Sequence, residues 1–572
     1  DPNGAYQIDN YYLKKTGSQK SLYDNPLQLW STRDFGANKN ILFHNIVGFV
    51  TFEKFMVVAE LLPTQQLQLW VSMDGEKFAK TQYPPNMDVQ NEAFTILEST
   101  TGSIILHATG LSHHLWGNIM KSNYNGTYYS LSLENVNRDE QGFVDFEKMQ
   151  GIEGIALANI VSNTNEVIIG GSAKKLQSRI TFSDGGAWQK LTPPKSDSDG
   201  KPYNCNDCSL HLHSYTERRD PRDSFSSPSA VGLMIGVGNV GDYLSPYLDG
   251  DTFLTRDAGV TWTEVKKGAY MYGFGGQGSI LVLVDDEAPT KHILYSFNEG
   301  KTWTEYEFTD KPIKVHDILT HPKGTKFAFL LRGRPEGNYF KEAVVYLDFT
   351  PKLNDKCIEK DFDLWKPTHP GHQGHQNDCL FGHTVTYNRR NLERDCYIDE
   401  SFSQSKQKPE DCKCDEYDFE CDFNYIRDEN NKCTLVGGTS PLKLTVEEMC
   451  VDGAKFWYNE SGYRKIPIST CSGGEEETYL GKPYECPSSN GNSAINWFII
   501  ILVVGAIIAC YPMADSQSFL SNMFESFMDI ISQILSKISV PRSGNRYRYR
   551  PVSQDDPNDV LLNEYDDDNQ EL

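Results

Sequence analysis

Thirteen cysteines carry the clearest chemistry of this 572-residue chain, and ten of them fall between Cys357 and Cys486. Thiols this dense form disulfides in an oxidising compartment or bind metal in a reducing one. Their spacing contains no paired CxxC knuckles of the kind that hold zinc. The segment is therefore predicted to be a disulfide-stapled module outside the cytosol. Ten cysteines allow about 945 pairings, and spacing alone does not choose among them.

A second thiol pair, Cys205 and Cys208, stands just before His211 and His213. Two imidazoles at i and i+2 on a strand share a face, so together with two thiolates they could ligate zinc. The alternative is a local Cys205–Cys208 disulfide beside ordinary strand histidines, and an oxidising lumen favours it. No metal or other cofactor is expected.

Two further patterns also have ordinary explanations. His369, His372 and His375 lie in a Gly/Pro-rich loop, where they could titrate near endosomal pH or bind metal loosely; a solvated loop is favoured. The glycines from Gly236 to Gly241 match the dinucleotide fingerprint GxGxxG, but no helix is predicted after them. Turn glycines of a β-rich domain are the favoured interpretation.

An uncharged run of 18 residues, Trp497–Ala514, follows the cysteines and is just long enough to cross a bilayer. Five basic residues lie on its C-terminal side, whereas Lys482 alone lies in the twenty residues before it. The positive-inside rule then places the C-terminus in the cytosol and the cysteines in the lumen. The chain opens at Asp1 without a signal peptide, so we expect a processed or incomplete portion of a longer precursor; the alternative is that the span acts as its own uncleaved signal.

The segment after the span is predicted to contain an amphipathic helix over 517–540, which lies in the membrane interface or packs on a partner helix. A disordered acidic tail, 541–572, follows it. Tyr549 with Val552, and Leu561 with Leu562, match short tyrosine-based and dileucine signals that clathrin adaptors read in extended peptides. The formal net charge of −24 argues against a nucleic-acid partner.

An internal repeat determines the predicted architecture of residues 1–350. Two segments fit the pattern S/T-x-D/N-x-G-x-T-W, and looser copies begin at Thr32, Ser72, Ser122 and Thr181. The acidic or amide side chain caps a tight turn and glycine supplies its positive φ, so each copy is an Asp-box on a blade hairpin of an all-β propeller. The defining positions are Thr255, Asp257, Gly259 and Trp262, and Ser296, Asn298, Gly300 and Trp303.

The two complete boxes, the stretches Cys208–Ser214, Ala230–Asp242 and Gly462–Pro467, the ten cysteines and the single span together resemble the sortilin family, the vacuolar protein sorting ten receptors. The resemblance implies a ten-bladed ring, of which this chain is expected to lack three or four N-terminal blades. A disulfide-rich module over 351–490 and one span over 495–514 follow. It also implies a disulfide pairing: Cys357–Cys396, Cys379–Cys412, Cys414–Cys471, Cys421–Cys433 and Cys450–Cys486.

The function implied by the resemblance is that of a type I sorting receptor of the late Golgi and endosomes, and not of an enzyme. Soluble vacuolar hydrolases such as carboxypeptidase Y are the expected lumenal cargo, and clathrin adaptors and a retromer-type coat the expected tail partners. Cargo-contacting residues are not assigned. Asn125 and Asn459 begin the NxS/T sequons on the lumenal side. The alternatives are an Asp-box glycosidase or sialidase, which needs an arginine cluster or paired carboxylates, and a truncated, non-functional paralogue.

Overall fold

Five antiparallel sheets follow one another from Asn10 to Asp348. They belong to a computed structural model that describes residues 10–15, 27–34, 36–52, 54–64, 66–84, 94–98, 101–109, 114–204, 206–218, 225–337, 341–371, 378–394, 396–402, 409–450 and 455–487. Within these residues neighbouring strands in sequence are mostly neighbours in a sheet, so the chain meanders as it does in propeller blades. The predicted all-β, propeller-like class is thus confirmed at this level.

The first two sheets contain six and eight strands. The first holds β1 Asn10–Lys15, β2 Leu27–Thr32, β3 Asn40–Thr51, β4 Met56–Leu61, β5 Leu67–Ser72 and β6 Ala79–Lys80. The second holds β7 Phe94–Glu98, β8 Ile105–Ala108, β9 Trp116–Ser122, β10 Tyr129–Asn137, β11 Phe146–Lys148, β12 Ala156–Val161, β13 Leu176–Thr181 and β14 Gln189–Lys190, with helix α1 Thr164–Gly170 between β12 and β13.

The next two sheets are four-stranded blades, and the fifth has three strands among the described residues. Their members are β15 Ser209–Leu212, β16 Met234–Gly241, β17 Asp251–Thr255 and β18 Thr263–Lys266; β19 Tyr270–Gly275, β20 Ile280–Asp285, β21 His292–Ser296 and β22 Thr304–Glu307; and β23 Ile313–Thr320, β24 Ala328–Pro335 and β25 Ala343–Asp348. A short helix, α2 Tyr215–Arg218, follows β15.

The core lies between successive sheets, where both faces of the inner strands are buried. In β20 the residues from Ile280 to Val284 are all fully buried, since alternate side chains pack against the sheets on either side. The outer strands are different: all four residues of β22 are exposed. The unbroken apolar run of β20 therefore marks a strand inside the stack of sheets.

The two complete Asp-box turns lie on hairpins, as the repeat predicts: they join β17 to β18 and β21 to β22, the last two strands of their sheets. In the box that begins at Thr255, the hydroxyl of Thr255 accepts a hydrogen bond from Gly259 N–H (2.9 Å) and the Asp257 carboxylate accepts one from Thr261 N–H (2.8 Å). Trp262 is 4% exposed, and its indole N–H donates to Gly259 O. Polar side chains at the first and third positions thus replace backbone acceptors in the turn.

Short strands and disulfides make up the rest. These strands are β26 Asp355–Lys356, β27 Phe362–Trp365, β28 His383–Thr384, β29 Tyr387–Arg390, β30 Cys396–Tyr397, β31 Glu410–Asp411, β32 Phe419–Cys421, β33 Tyr425–Arg427, β34 Cys433–Leu435, β35 Phe456–Tyr458, β36 Tyr463–Lys465 and β37 Pro483–Glu485; the helices are α3 Val446–Met449 and α4 Glu476–Leu480. They pair two by two, so bridges and contacts with the blades replace a large core of their own.

Two compact units are distinguished by their internal contacts. The first contains the blades together with residues 351–443 and 458–482, which we call the cysteine module. The second contains, among the described residues, 444–450, 455–457 and 483–487. In its described part, Cys450 is bonded to Cys486 and the Trp457 ring stacks on Tyr484 with 4.6 Å between centroids.

Among the described residues, no helix combines the length and apolarity that crossing a bilayer requires. The predicted span over 495–514, the helix over 517–540 and the tail over 541–572 lie outside those residues. So do the predicted sorting signals at Tyr549, Val552, Leu561 and Leu562.

Candidate functional site at the contact between blades and cysteine module

Four buried charged side chains meet where the cysteine module contacts the blades. Lys121 is at the end of β9 and Asp184 is in the Asp-box that begins at Thr181; Glu420 is in β32 and Arg464 in β36. Each of the four side chains is 10% exposed or less. We call these four residues the ionic cluster.

Lys121 lies between the two acids. Its ammonium nitrogen is 2.7 Å from an Asp184 carboxylate oxygen and 2.8 Å from one of Glu420. The first acid belongs to a blade and the second to the module, so one lysine neutralises a charge on each side of the contact. A charge buried this deeply is tolerated only when it is paired.

Arg464 completes the cluster from the module side. Its Nε donates to the second oxygen of Glu420 (2.8 Å), and its two terminal nitrogens donate to the carbonyls of Lys121 (3.0 Å) and Tyr128 (3.1 Å) and to the hydroxyl of Ser130 (3.0 Å). A guanidinium presents five N–H donors in a fixed plane, which suits such a convergent set of acceptors. Within these four residues two cations balance two anions, and the partly exposed Asp422 lies 3.8 Å from Arg464 at the edge of the cluster. The cluster ties β36 to β9 and β10.

The electrostatics of the cluster are dominated by burial. Burial raises the pKa of Asp184 to about 6, and Lys121 opposes this rise without cancelling it. A carboxyl group with such a pKa takes up a proton within the pH range of endosomes.

A second ion pair joins the blades to the module at the box that begins at Ser296. The Glu299 carboxylate accepts a hydrogen bond from Arg389 of β29 (2.7 Å). Arg389 also donates to the Arg256 carbonyl (2.5 Å), and its guanidinium lies 4.8 Å from the Trp365 ring centroid. Arg389 thus has three kinds of partner and is the ion-pair partner of Glu299; the Arg256 guanidinium, whose Nε donates to the Glu299 carbonyl (2.7 Å), is a second cation nearby.

Both acids occupy the same place in the repeat, the fourth position of an Asp-box. Asp184, Ala258 and Glu299 all have left-handed backbones, with φ of 53°, 62° and 53°. This conformation turns the fourth side chain out of the hairpin toward the module, and it is a conformation that non-glycine residues adopt only at a cost. The box is therefore also a means of presenting one side chain.

The five disulfides of the ten-cysteine segment are the pairs that the family resemblance implies: Cys357–Cys396, Cys379–Cys412, Cys414–Cys471, Cys421–Cys433 and Cys450–Cys486. Cys421 is adjacent in sequence to Glu420 of the ionic cluster. Cys208 is also disulfide-bonded, and Cys205 lies outside the described residues.

The zinc alternative for the Cys208 region receives no support from the histidines. His211 is fully buried: its Nδ1 accepts from Ser178 N–H (3.1 Å), its Nε2 is 3.1 Å from Gly241 O, and burial lowers its pKa to about 4. His213 is buried against the Tyr247 ring. In the described part of the chain, one group of side chains, Cys414, Asp418 and Cys471, has metal-ligand spacing, but its two sulfurs are bonded to each other.

The glycines from Gly236 to Gly241 lie in β16 and not at a strand-to-helix turn. A Cβ on Gly238 would lie 1.8 Å from the His211 carbonyl oxygen, so close packing between β15 and β16 explains that glycine. The expectation of turn glycines is therefore wrong: the glycines belong to a β domain, but they lie within a strand and not in a turn.

The expectation of a solvated histidine loop is wrong for His369. Its side chain is 6% exposed and packs between Phe182 of a blade and Tyr417 of the module, with 4.0 Å between the His369 and Tyr417 ring centroids. Gly371 N–H donates to its Nδ1 (3.0 Å). Aromatic packing at the contact overrides the polarity of the loop. His372 and His375 lie outside the described residues.

The two predicted glycosylation residues differ in exposure. Asn125 is half-buried in the turn between β9 and β10, where its Oδ1 accepts from the Thr127 hydroxyl (2.6 Å). Asn459 is exposed just after β35. Glycosylation of either residue stays a prediction.

The ionic cluster was missed at the level of sequence. Arg464 lies at the centre of the stretch Gly462–Pro467, which contributes to the family resemblance. The sequence therefore pointed to this stretch but did not indicate which residues Arg464 contacts. Glu420 is 44 residues from Arg464 in sequence, and Lys121 is 343 residues away. Only the packing of the module against the blades brings them together.

Repeated sheets with Asp-box turns, held to a disulfide-bonded module by buried ion pairs, define a disulfide-stabilised β-propeller protein. The model of the sortilin (neurotensin receptor 3) family, which includes Vps10, matches residues 6–318, and the model of its C-terminal region matches residues 320–486. The chain belongs to this sortilin/Vps10 family.

Fungal relatives are consistent with that assignment. "Vacuolar protein sorting/targeting protein 10" of Laccaria bicolor is 44% identical over 530 residues, covering 89% of this chain and 35% of the relative. The protein of that name from Mycosarcoma maydis is 43% identical over 514 residues, covering 87% and 34%. The chain thus spans about a third of the length of these curated relatives. Among solved structures, the β-propeller domain of the Trilobed protease from Pyrococcus furiosus matches at a TM-score of 0.25 and 7% identity over 60% of this chain and 95% of that one, which is too low to carry an argument.

Proposed function

We propose that this chain is the membrane-proximal part of a vacuolar sorting receptor that binds soluble cargo through its blades. The observation that carries the proposal is the pair of family matches, which together extend from residue 6 to residue 486 and include all ten cysteines of the dense segment. The relatives' printed name, vacuolar protein sorting/targeting protein, supports the same role.

The geometry of the ionic cluster favours a binding protein over the glycosidase or sialidase alternative. A glycosidase needs two carboxyl groups flanking a space for the sugar. Asp184 and Glu420 are two neighbouring carboxylates, but Lys121 lies between them and both are buried. These acids therefore join two parts of one chain and are not available to a substrate.

The proposed topology is that of a single-pass type I protein with its N-terminus in the lumen of the late Golgi and endosomes. The run Trp497–Ala514 supports the span, and the disulfides support an oxidising compartment for the described residues. Clathrin adaptors would bind the tail at Tyr549 and Leu561, and a retromer-type coat would return the receptor.

The proposed transport cycle requires that cargo binds near neutral pH and dissociates after acidification. The full chain, purified in detergent and immobilised, is expected to bind carboxypeptidase Y or another vacuolar hydrolase with a Kd below about 10 μM at pH 7. A secreted protein that is not vacuolar serves as the control ligand. Absence of binding to a panel of vacuolar hydrolases would contradict the receptor role, and an unchanged Kd between pH 7 and 5.5 would contradict release by acid.

A further inference from the structure

A glycine with positive φ stands two or three residues before the second strand of successive blades. Gly102, Gly154, Gly232 and Gly278 have φ of 82°, 74°, 81° and 83°. Two of them are tied to the Asp-box of their own blade, since Asp184 N–H donates to Gly154 O (2.9 Å) and Ala258 N–H donates to Gly232 O (3.0 Å). The glycine and the fourth box residue thus form one recurring surface on the blades.

Rings of the cysteine module occupy three of these four glycine positions. Pro467 lies over Gly102, Phe381 over Gly154 and Trp365 over Gly232, because a Cβ on those glycines would be 3.6, 2.2 and 2.8 Å from the respective ring atoms. At Gly278 the neighbours are Ala230 and Leu233 of the preceding blade instead. We call the three occupied positions, Gly102, Gly154 and Gly232, the glycine sockets.

The fourth box residues of three successive blades also differ from blade to blade. Asp184 contacts the ionic cluster, Ala258 is fully buried in an apolar cluster with Phe381 and Ile466 of the module, and Glu299 pairs with Arg389. Repeated blades would otherwise present equivalent turns to the module. A shift of the module by one blade in either direction would move Arg389 away from Glu299 and leave a buried carboxylate without its ion-pair partner.

We propose that the fourth box residues and the glycine sockets set the rotational position in which the cysteine module docks on the repeated blades. The partner surface they fit is a cation next to Glu299, an acid with an arginine next to Asp184, and ring side chains over the sockets. Apolar burial stabilises the docked module by a similar amount in every rotational position. The contacts that differ from blade to blade favour one position over the others.

Zero-length cross-linking with a carbodiimide measures directly whether the module is docked in the position that the structure shows. Lys326 of a blade and Glu400 of the module form an exposed ion pair, and Lys356 with Asp399 forms one inside the module (3.1 Å). In the full chain, Glu299→Arg is expected to lower the yield of the Lys326–Glu400 cross-link at least about fivefold relative to Lys356–Asp399. The double variant Glu299→Arg/Arg389→Glu is expected to restore at least half of it, because the opposite charges face each other again.

Glu342→Arg is the matched control, since the Glu342–Arg334 pair is exposed and lies within one sheet; its cross-link ratio is expected to equal that of the wild type. An unchanged ratio in Glu299→Arg would overturn the proposal, as would a double variant no better than the single one. If Glu299→Arg does not accumulate as folded protein, recovery of its accumulation in the double variant supports the proposal, and no recovery counts against it.

The sockets have their own test. Gly154→Ala places a methyl group against Phe381 and is expected to lower the Lys326–Glu400 yield about tenfold, and Phe381→Ala in the same chain is expected to recover part of it. Gly200→Ala is the control: Gly200 has φ of 82° and no neighbour within 4 Å, so it incurs the backbone strain alone. Equal loss in Gly154→Ala and Gly200→Ala, with no rescue by Phe381→Ala, would refute the role of the sockets.

Discussion

The ionic cluster and the Glu299–Arg389 pair hold the same module to the same set of blades, but they are built differently. The cluster contains two cations and two anions that are all buried, and Lys121 shares its charge between two acids. At the other contact, Arg389 has a carbonyl and an aromatic ring besides Glu299. A closed set of charges loses more when one member is removed than a pair whose cation has other partners.

Removal of Lys121 should therefore have the largest effect. Lys121→Met keeps the volume of the side chain but leaves Asp184 buried without a cation, and we expect the free energy of unfolding to fall by about 3–5 kcal/mol. Urea unfolding of the full chain, followed by tryptophan fluorescence, measures this loss. Arg334→Met removes an exposed cation and serves as the control, with an expected change below about 0.5 kcal/mol. A loss below about 1 kcal/mol for Lys121→Met would show that the other charges of the ionic cluster do not depend on Lys121.

Loss of the Cys421–Cys433 bridge should come next. This bridge closes a 12-residue loop beside Glu420, and replacing both cysteines by alanine should cost about 2–3 kcal/mol. Hydrogen exchange should then speed up at the amides of β32 and β36 before it changes at β29. Equal acceleration at β29 would mean that the two contacts open together and are not independent.

A smaller effect is expected at the other contact. Glu299→Gln removes the charge but keeps an acceptor for Arg389, which also retains the Arg256 carbonyl and the Trp365 ring. We expect a loss of about 1–2 kcal/mol in the same urea experiment. If Glu299→Gln cost as much as Lys121→Met, the number of partners would not explain the difference between the contacts.

The smallest expected effect concerns pH. The pKa of Asp184 is raised by burial to about 6 in the folded chain, from 3.8 when the group is exposed, so folding favours its protonated form. The corresponding stability is fully present below pH 3.8 and is lost as pH rises through 6. From pH 7 to pH 5 this one group should therefore stabilise the wild type by about 1 kcal/mol relative to Asp184→Asn. If the free energy of unfolding changed with pH in the same way in the wild type and in Asp184→Asn, the titration of Asp184 in this pH range would be contradicted.

The repeated blades could be predicted from sequence because their signals are local. An Asp-box contains its own hydrogen-bond acceptors, its glycine and its buried Trp within eight residues, as at Thr255–Trp262, and the pattern therefore indicates the hairpin directly. The disulfide pairs followed from the family resemblance, since the spacing of ten cysteines left the pairing open.

The ionic cluster could not be predicted in the same way. Lys121 is one lysine on one strand, and a charged residue there is ordinarily taken to face solvent. Asp184 follows Ser183, which occupies the third box position and has a local capping role. The repeat pattern therefore constrains the third position and places no requirement on the fourth, where Asp184 stands. His369 was misplaced for a related reason, as its burial depends on Tyr417 and Phe182 from distant segments.

The separation of Arg464 from Lys121 has a consequence for biosynthesis. The two residues are 343 positions apart in the chain. At a synthesis rate of roughly 5–20 residues per second, blades that contain Lys121 and Asp184 wait about 20–70 s for the module to emerge. During that interval the Lys121–Asp184 pair and the empty glycine sockets form an unfinished surface that chaperones can bind. Closing so long a loop is also slow, which makes docking of the module a late step in folding. Maturation of the chain is thus timed by the synthesis of its cysteine module.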